Sequence, residues 1–230
     1  SSETRTMLYY TGLAGADQQA AAAIRQQFAD SMKADHTGKA FENDRDPYLA
    51  FLDHYTWGSS GVKAGLGMYY LELVNHGLAE GGEQLQKDRA AHYLHYLHGV
   101  NPLSKVYLSN MGRFAAENSV TSFYHSWFQD GSPLWDDTRT SQFGPAPGFI
   151  VGGANSYYSW DGCCPSNCGT PANNARCGKF PPSPPAGQPP QKSYTDFNTS
   201  WPLNSWSVTE NSGGYQVNYL RLLSKFVQSQ

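Results

Sequence analysis

The sequence is poor in charge: Lys, Arg, Asp and Glu make up 15% of 230 residues, and 16 basic against 19 acidic side chains leave a net charge of −3. So thin and balanced a charge lacks the positive field that nucleic acid or an anionic membrane surface requires, so neither is expected as a partner. Long apolar runs are missing as well. None approaches the ~20 residues of a membrane span, and no apolar leader precedes the polar start Ser1-Ser2-Glu3-Thr4, so a soluble chain with any leader already removed is expected. Cysteine is absent outside one stretch, where Cys163, Cys164, Cys168 and Cys177 fall within 15 residues. The spacing lacks the C-x2-C pair and nearby His of a common zinc knot, which favours disulfides and an oxidising, secreted or extracellular setting. Vicinal cysteines bridge each other only with strain, so Cys163 and Cys164 are each expected to reach Cys168 or Cys177.

What is abundant is aromatic and turn-forming. Trp, Tyr and Phe make up 14% of the chain, with 23 Gly and 14 Pro concentrated in its later part. The length suits one well-cored domain, and the mixture of aromatics with Asn, Gln, Ser and Gly suits a neutral polar ligand such as a sugar.

The first part reads as helices joined by short turns. Arg5 to Tyr10 and Asp17 to Met32 flank a Gly12-Leu13-Ala14-Gly15 turn, with Asp17 as N-cap. Asp46-Pro47 predicts a further helix through Leu52 to about Thr56. Val62, Leu66, Tyr69, Tyr70 and Leu73 recur at helical spacing until Gly77, and Leu85, Arg89, Tyr93 and Leu97 do so after Gly82. No segment alternates long enough to predict a sheet. From Gly99 to about Ser205, loops are expected to dominate, with helical character confined to Phe114 to Phe128 and an extended Pro-rich strap over Lys179 to Gln191. Ser207-Val208-Thr209-Glu210 has the form of a capping box, followed by an apolar face of Tyr215, Tyr219, Leu220, Leu223, Phe226 and Val227. Asn198-Thr199-Ser200 is the single N-glycosylation sequon.

Cleaving a neutral glycan usually takes two carboxyl groups, one protonated to assist the leaving oxygen and one ionised to activate water or attack. Glu210 stands out, with Trp201 and Trp206 before it and Tyr215 after it. The competing use of a capping-box glutamate is to reach back to the Ser207 amide.

The run Trp206-Ser207-Val208-Thr209-Glu210-Asn211-Ser212-Gly213-Gly214-Tyr215-Gln216 resembles the C-terminal catalytic signature of glycoside hydrolase family 9, the inverting cellulases. His98-Gly99-Val100-Asn101-Pro102-Leu103 is similar to that family's G-x-N-P-L segment. Trp57-Gly58-Ser59 before that segment, then an aromatic and histidine loop and Gly144-Pro145-Ala146-Pro147-Gly148-Phe149-Ile150-Val151-Gly152-Gly153-Ala154-Asn155 after it, stand in the family's order ahead of the terminal Glu helix. The resemblance implies an all-α fold, an (α/α)6 toroid of the six-hairpin glycosidase type, represented by its C-terminal portion with long loops. It implies endo-β-1,4-glucanase activity on cellulose, related β-glucans or cello-oligosaccharides. Glu210 corresponds to the general acid, and Tyr215 to the tyrosine beside it in the cleft. His125 corresponds to a substrate-contacting histidine, and Trp57 to a tryptophan stacking on a glucosyl ring; Tyr124 and Trp127 are further substrate-binding candidates. No cofactor is required for catalysis; the resemblance leaves room for a structural calcium whose ligands it does not identify.

Two departures matter. The family's His-His-Arg cluster is replaced by His125-Ser126-Trp127, and the family's D-A-G-D base motif has no counterpart, since no D-x-x-D occurs in the sequence. Asp44, Asp46, Asp136 and Asp137 lie in polar turn contexts. Residues 1–230 are therefore expected to be the C-terminal part of one catalytic domain, with the base in a missing N-terminal half. Alternatives are a non-catalytic glycan-binding remnant, or a fragment active only with that half.

Overall fold

A computed structural model describes residues 2–34, 46–125, 131–159, 170–172, 174–175, 183–199 and 204–227. Trp127, Trp160 and Trp201, Asp44 and the four cysteines Cys163, Cys164, Cys168 and Cys177 lie outside them. The chain divides into two compact units, Ser1–Asp53 with Leu66–Tyr93, and His54–Gly65 with Leu94–Gln230.

The first unit contains α1 (Ser2–Tyr10) and α2 (Gln18–Ala34), with most of α3 (Ser59–Asn75) and α4 (Glu83–Leu97). Asp17 caps α2 as expected, its carboxylate accepting the Ala20 amide at 2.8 Å. Helix α3 stops at Gly77, whose φ of +65° lets Leu78 donate back to the Leu73 carbonyl. Leu8, Phe28, Met32, Tyr70 and Tyr93 are buried, with Tyr70 stacked on Tyr93 at 6.0 Å and the Phe28 ring edge-on to Tyr69. The expected Asp46-Pro47 helix does not form. The Asp46 carboxylate accepts the amides of Tyr48 and Ala50, and Leu49 adopts φ +53°, which closes a turn and stops helical propagation.

The second unit holds the start of α3, the end of α4, the loops, and the helices α5 (Trp206–Thr209) and α6 (Gly213–Leu223). The α3 face differs from the expected one near its start. Val62 is exposed, whereas Lys63 is buried with its ammonium 3.7 Å from the Tyr96 ring centroid and 5.0 Å from that of Tyr55. A small sheet also forms that periodicity did not predict: β1 (Val106–Ser109) pairs in parallel with β2 (Ser119–Val120). Its other neighbour is the segment 148–151, joined by Ser109 N to Phe149 O (2.9 Å), Gly148 N to Ser109 O (2.7 Å) and Val151 N to Tyr107 O (3.2 Å). Over Phe114 to His125, the described part of the expected helical stretch, the chain is not helical beyond a 3-10 turn at Gly112–Phe114, and in the described part of the Pro-rich strap it turns at 183–187 rather than extending.

Side chains, rather than regular elements, organise these loops. Asn101 of the N-P-L segment is buried and uses its whole amide: Nδ2 donates to the carbonyls of Tyr96 and Lys105, and Oδ1 accepts the amides of Leu103 and Lys105. Lys105 in turn reaches Asp196 at 2.7 Å, which also accepts from Thr121. Asp136 accepts the Gly131 amide and the Asn198 side chain at 2.6 Å, while Asp137 takes a two-pronged bond from Arg139. The sequon Asn198 is thus buried, with its amide nitrogen engaged. Among the described residues no helix is long and apolar enough to cross a membrane.

Two measurements test this scaffold. Asn101→Ala leaves buried backbone groups unpaired and should destabilise the fold by about 2–4 kcal/mol in urea denaturation, with the Glu210 surroundings intact at low denaturant. Burial works against the Asp137 charge, but the Arg139 guanidinium and amide, with Ser122, hold its carboxyl below the usual carboxylate range. The unfolded chain then binds the proton more readily, so this stabilisation is complete above the ordinary Asp range and fades as pH falls through the folded value. Asp137→Asn should therefore lower stability at pH 7 and converge on the parent protein in strong acid.

Candidate active site

Glu210 sits on a corner between two helices. The α5 turn ends at Thr209, and Glu210 follows with extended backbone, φ −63° and ψ +137°. The expected capping box is not used: Ser207 lies inside α5, and Glu210 closes that helix rather than opening the next. The last helix is capped instead by Ser212, whose hydroxyl accepts the Tyr215 amide at 3.2 Å. This start rotates the apolar face. Tyr219 and Leu222 are buried, Leu220 is exposed, and Phe226 and Val227 lie beyond the helix end. Thr209 fixes the corner from below, its buried hydroxyl donating to Phe197 O at 2.7 Å while its carbonyl accepts the Tyr124 amide at 3.2 Å.

Three of the candidate residues converge on this carboxylate. The Trp57 indole Nε1–H donates to Glu210 Oε2 at 3.2 Å, and His125 Nε2 lies 3.2 Å from Oε1. His125 adopts φ +63°, a left-handed conformation that costs a non-glycine residue energy and turns its imidazole onto the acid. Its ring lies 4.1 Å from that of Tyr124, which meets Trp206 edge-on at 5.5 Å. Trp57 remains 50% exposed while its N–H is engaged. Burial pushes the Tyr215 phenol up, and the nearby Glu210 carboxylate adds to that rise.

Tyr215 is seated by two residues that sequence reasoning passed over. A Cβ on Gly58 would stand 2.5 Å from Tyr215 Oη, and one on Gly61 would stand 2.4 Å from its Cδ1. The first turn of α3 is therefore the floor on which the ring lies. Gly58 also has φ +83°, which turns the chain from Trp57 into the helix. Gly152 and Gly153 form a second close approach: added Cβ atoms would meet Val208 O at 2.9 Å and Ser60 Oγ at 2.2 Å. This strap accepts the Ser60 amide at Gly152 O (2.9 Å) and donates Gly153 N to Val208 O (2.8 Å). The Gln216 amide pairs with both polar groups of Ile150, at 3.0 and 2.7 Å. The Gly-Gly dipeptide and the W-G-S-S-G run were the available signals, but neither names its distant partner.

Trp135 stacks on Phe143 at 4.8 Å. Among the described residues, no three His, Cys, Asp or Glu side chains converge to hold a metal ion.

Comparisons with known proteins bear on this arrangement. The family model of glycosyl hydrolase family 9 matches residues 3–217. No curated protein matches the chain. Among solved structures, AaCel9A in complex with cellobiose-like isofagomine is similar at 19% identity and a TM-score of 0.62, over 93% of this chain and 33% of that one. The family 9 endoglucanase J30 is similar at 19% identity and a TM-score of 0.61, over 97% of this chain and 34% of that one. A single-mutant thermostable endoglucanase from Alicyclobacillus acidocaldarius gives 18% identity and 0.61, over 93% and 32%. The chain thus spans about a third of the length of these structures. The likeness shows the fold, the all-α class of the (α/α)6 toroid, represented here by a portion of it.

The glycine floor is open to test by a double-mutant cycle. Gly61→Ala should displace the Tyr215 ring and cost about 1–3 kcal/mol of stability. In a Tyr215→Ala background, where the space is vacant, the same change should be neutral or gain up to ~1 kcal/mol from helix preference.

Proposed function

The chain belongs to glycosyl hydrolase family 9, and from that premise we propose that it takes part in hydrolysing β-1,4-glucosidic bonds with inversion, with Glu210 as general acid. The observation that carries the reading is the Glu210 carboxylate held between the half-exposed Trp57 indole and the His125 imidazole. In this reading Glu210 gives its proton to the glycosidic oxygen as the bond breaks, so the leaving sugar departs as a neutral alcohol. The opposing carboxylate, placed by resemblance on an aspartate this sequence does not contain, takes a proton from the attacking water at the ~6.5–9.5 Å separation that inversion needs. Trp57, half-exposed, offers a flat apolar surface to the axial C–H groups of a β-glucosyl unit. His125 borders the same carboxylate from the loop side with Tyr124 packed against its ring, where hydrogen-bonding groups suit sugar hydroxyls. Trp127 completes the proposed set as a further substrate contact.

The substrate is proposed to be a β-1,4-glucan or cello-oligosaccharide. The cellobiose-like ligand named for the similar AaCel9A structure supports that class, and the thin charge of this chain suits a neutral polymer. The cysteine cluster supports a secreted protein with disulfides among Cys163, Cys164, Cys168 and Cys177.

The decisive experiment is Glu210→Gln in the complete enzyme, assayed on soluble cello-oligosaccharides. Loss of about 10²–10⁴-fold in turnover, with binding within a few fold of the parent, is expected for a general acid. Turnover at the parent rate overturns the assignment, and binding without hydrolysis by the parent protein itself would identify a glycan-binding remnant.

A further inference from the structure

We propose that Trp57 is a positioning residue for Glu210 as well as a sugar platform: its indole N–H locks the carboxyl plane and reserves Oε2 as an acceptor, so that the transferable proton rides on Oε1. The inference rests on the reading of Glu210 as general acid but is carried by separate observations. An indole nitrogen can only donate, so the oxygen facing it must present a lone pair. Trp57 Nε1 faces Oε2 at 3.2 Å, leaving Oε1 as the oxygen free to carry hydrogen. Oε1 faces His125 Nε2, which can accept from a protonated carboxyl when the imidazole is neutral with its hydrogen on Nδ1.

The surrounding backbone supports a fixed donor. Trp57 precedes Gly58, whose left-handed φ and close approach to Tyr215 tie the indole's chain position to the ring that flanks Glu210. Ser59 and Ser60 then anchor the same turn to the strap, with Ser59 Oγ donating to Ala154 O at 2.7 Å and Ser60 N to Gly152 O at 2.9 Å. Because that strap also holds Val208 through Gly153, donor and acceptor are referred to one rigid segment although they are 153 residues apart in sequence.

The chemical consequence has a definite sign. A donor aimed at a carboxyl group interacts more strongly with the ionised form, so the indole stabilises what Glu210 becomes after giving up its proton. It also opposes rotation that would exchange the two oxygens. The titratable groups facing Glu210 are His125, at Oε1, and Tyr215, whose phenol is coupled to its charge. A protonated His125 would donate to Oε1 and block that oxygen, so the arrangement works with His125 neutral.

Trp57→Phe keeps a flat apolar ring and removes the donor. In the complete enzyme acting on a soluble cello-oligosaccharide, kcat should fall about tenfold with KM within about threefold, and the alkaline limb of the kcat/KM profile should move up by about half to one pH unit. A pure platform role predicts the opposite split, a raised KM with an unmoved alkaline limb, and would overturn the proposal. A second measurement does not depend on turnover: in the 15N spectrum, the indole resonance of Trp57, assigned by its loss in Trp57→Phe, should shift downfield as Glu210 ionises and lose that titration in Glu210→Gln. An indole signal indifferent to Glu210→Gln overturns the positioning role. Normal turnover by Glu210→Gln would instead remove the general-acid reading while leaving the hydrogen bond to be judged by its resonance.

Discussion

The strap from Ile150 to Asn155 is the constraint on which the site depends. It leaves the small sheet beside β1, passes under the first turn of α3 and then alongside α5, and at each station it exchanges backbone or hydroxyl hydrogen bonds with a different part of the second unit. Two consecutive glycines make the passage possible, because a side chain at either position would strike backbone or hydroxyl atoms closer than real contacts allow. The strap brings Val208 and Ser60 to opposite sides of one peptide segment. Glu210 and Trp57, each a few residues away, are left facing one another.

This division of labour sets the Glu210 carboxyl group among aromatic rings in a protein with little charge. The surroundings of Glu210 are an indole, an imidazole and a phenol, flat rings that each carry a polar group. The stronger ion pairs are placed elsewhere, Lys105 with Asp196 and Arg139 with Asp137, where they close loops. Asp136 and Asp137, the closest-spaced pair of acids in the described part of the chain, are consumed in this way. The resulting arrangement keeps competing charges off the acid.

Helices α1 to α4 were legible because their signals are local: Asp17 before α2, Gly77 after α3 and Gly82 before α4 act within a turn of where they stand. The Asp46-Pro47 signal was just as local and misled, since the same carboxylate that can cap a helix also closes a turn on Tyr48 and Ala50. Ser207-x-x-Glu210 failed for a similar reason. Ser212 stands five residues later with glycines behind it, and the chain used that hydroxyl. The grouping of Trp57, His125 and Glu210 was readable only through the order of motifs that resemble one family. Local patterning carries no record of which distant ring a glycine must admit, so Gly58 and Gly61 do not by themselves point to the Tyr215 ring that lies against them. Lys63 does not show in the apolar pattern because a buried lysine breaks it, and its ammonium lies against the distant Tyr55 and Tyr96 rings.

The buried bond between Asn198 and Asp136 bears on how the protein should be made. The sequon's side-chain nitrogen is the atom that a glycosyl-transferring enzyme would have to reach, and in the folded loop it already belongs to a carboxylate. In a secretory host, modification and folding would compete for that one atom. A chain glycosylated first would keep one hydrogen on that nitrogen but carry a glycan at a position the folded loop buries against Asp136. Bacterial expression, or an Asn198→Asp control run alongside a eukaryotic preparation, would separate loss of the amide from the presence of a glycan.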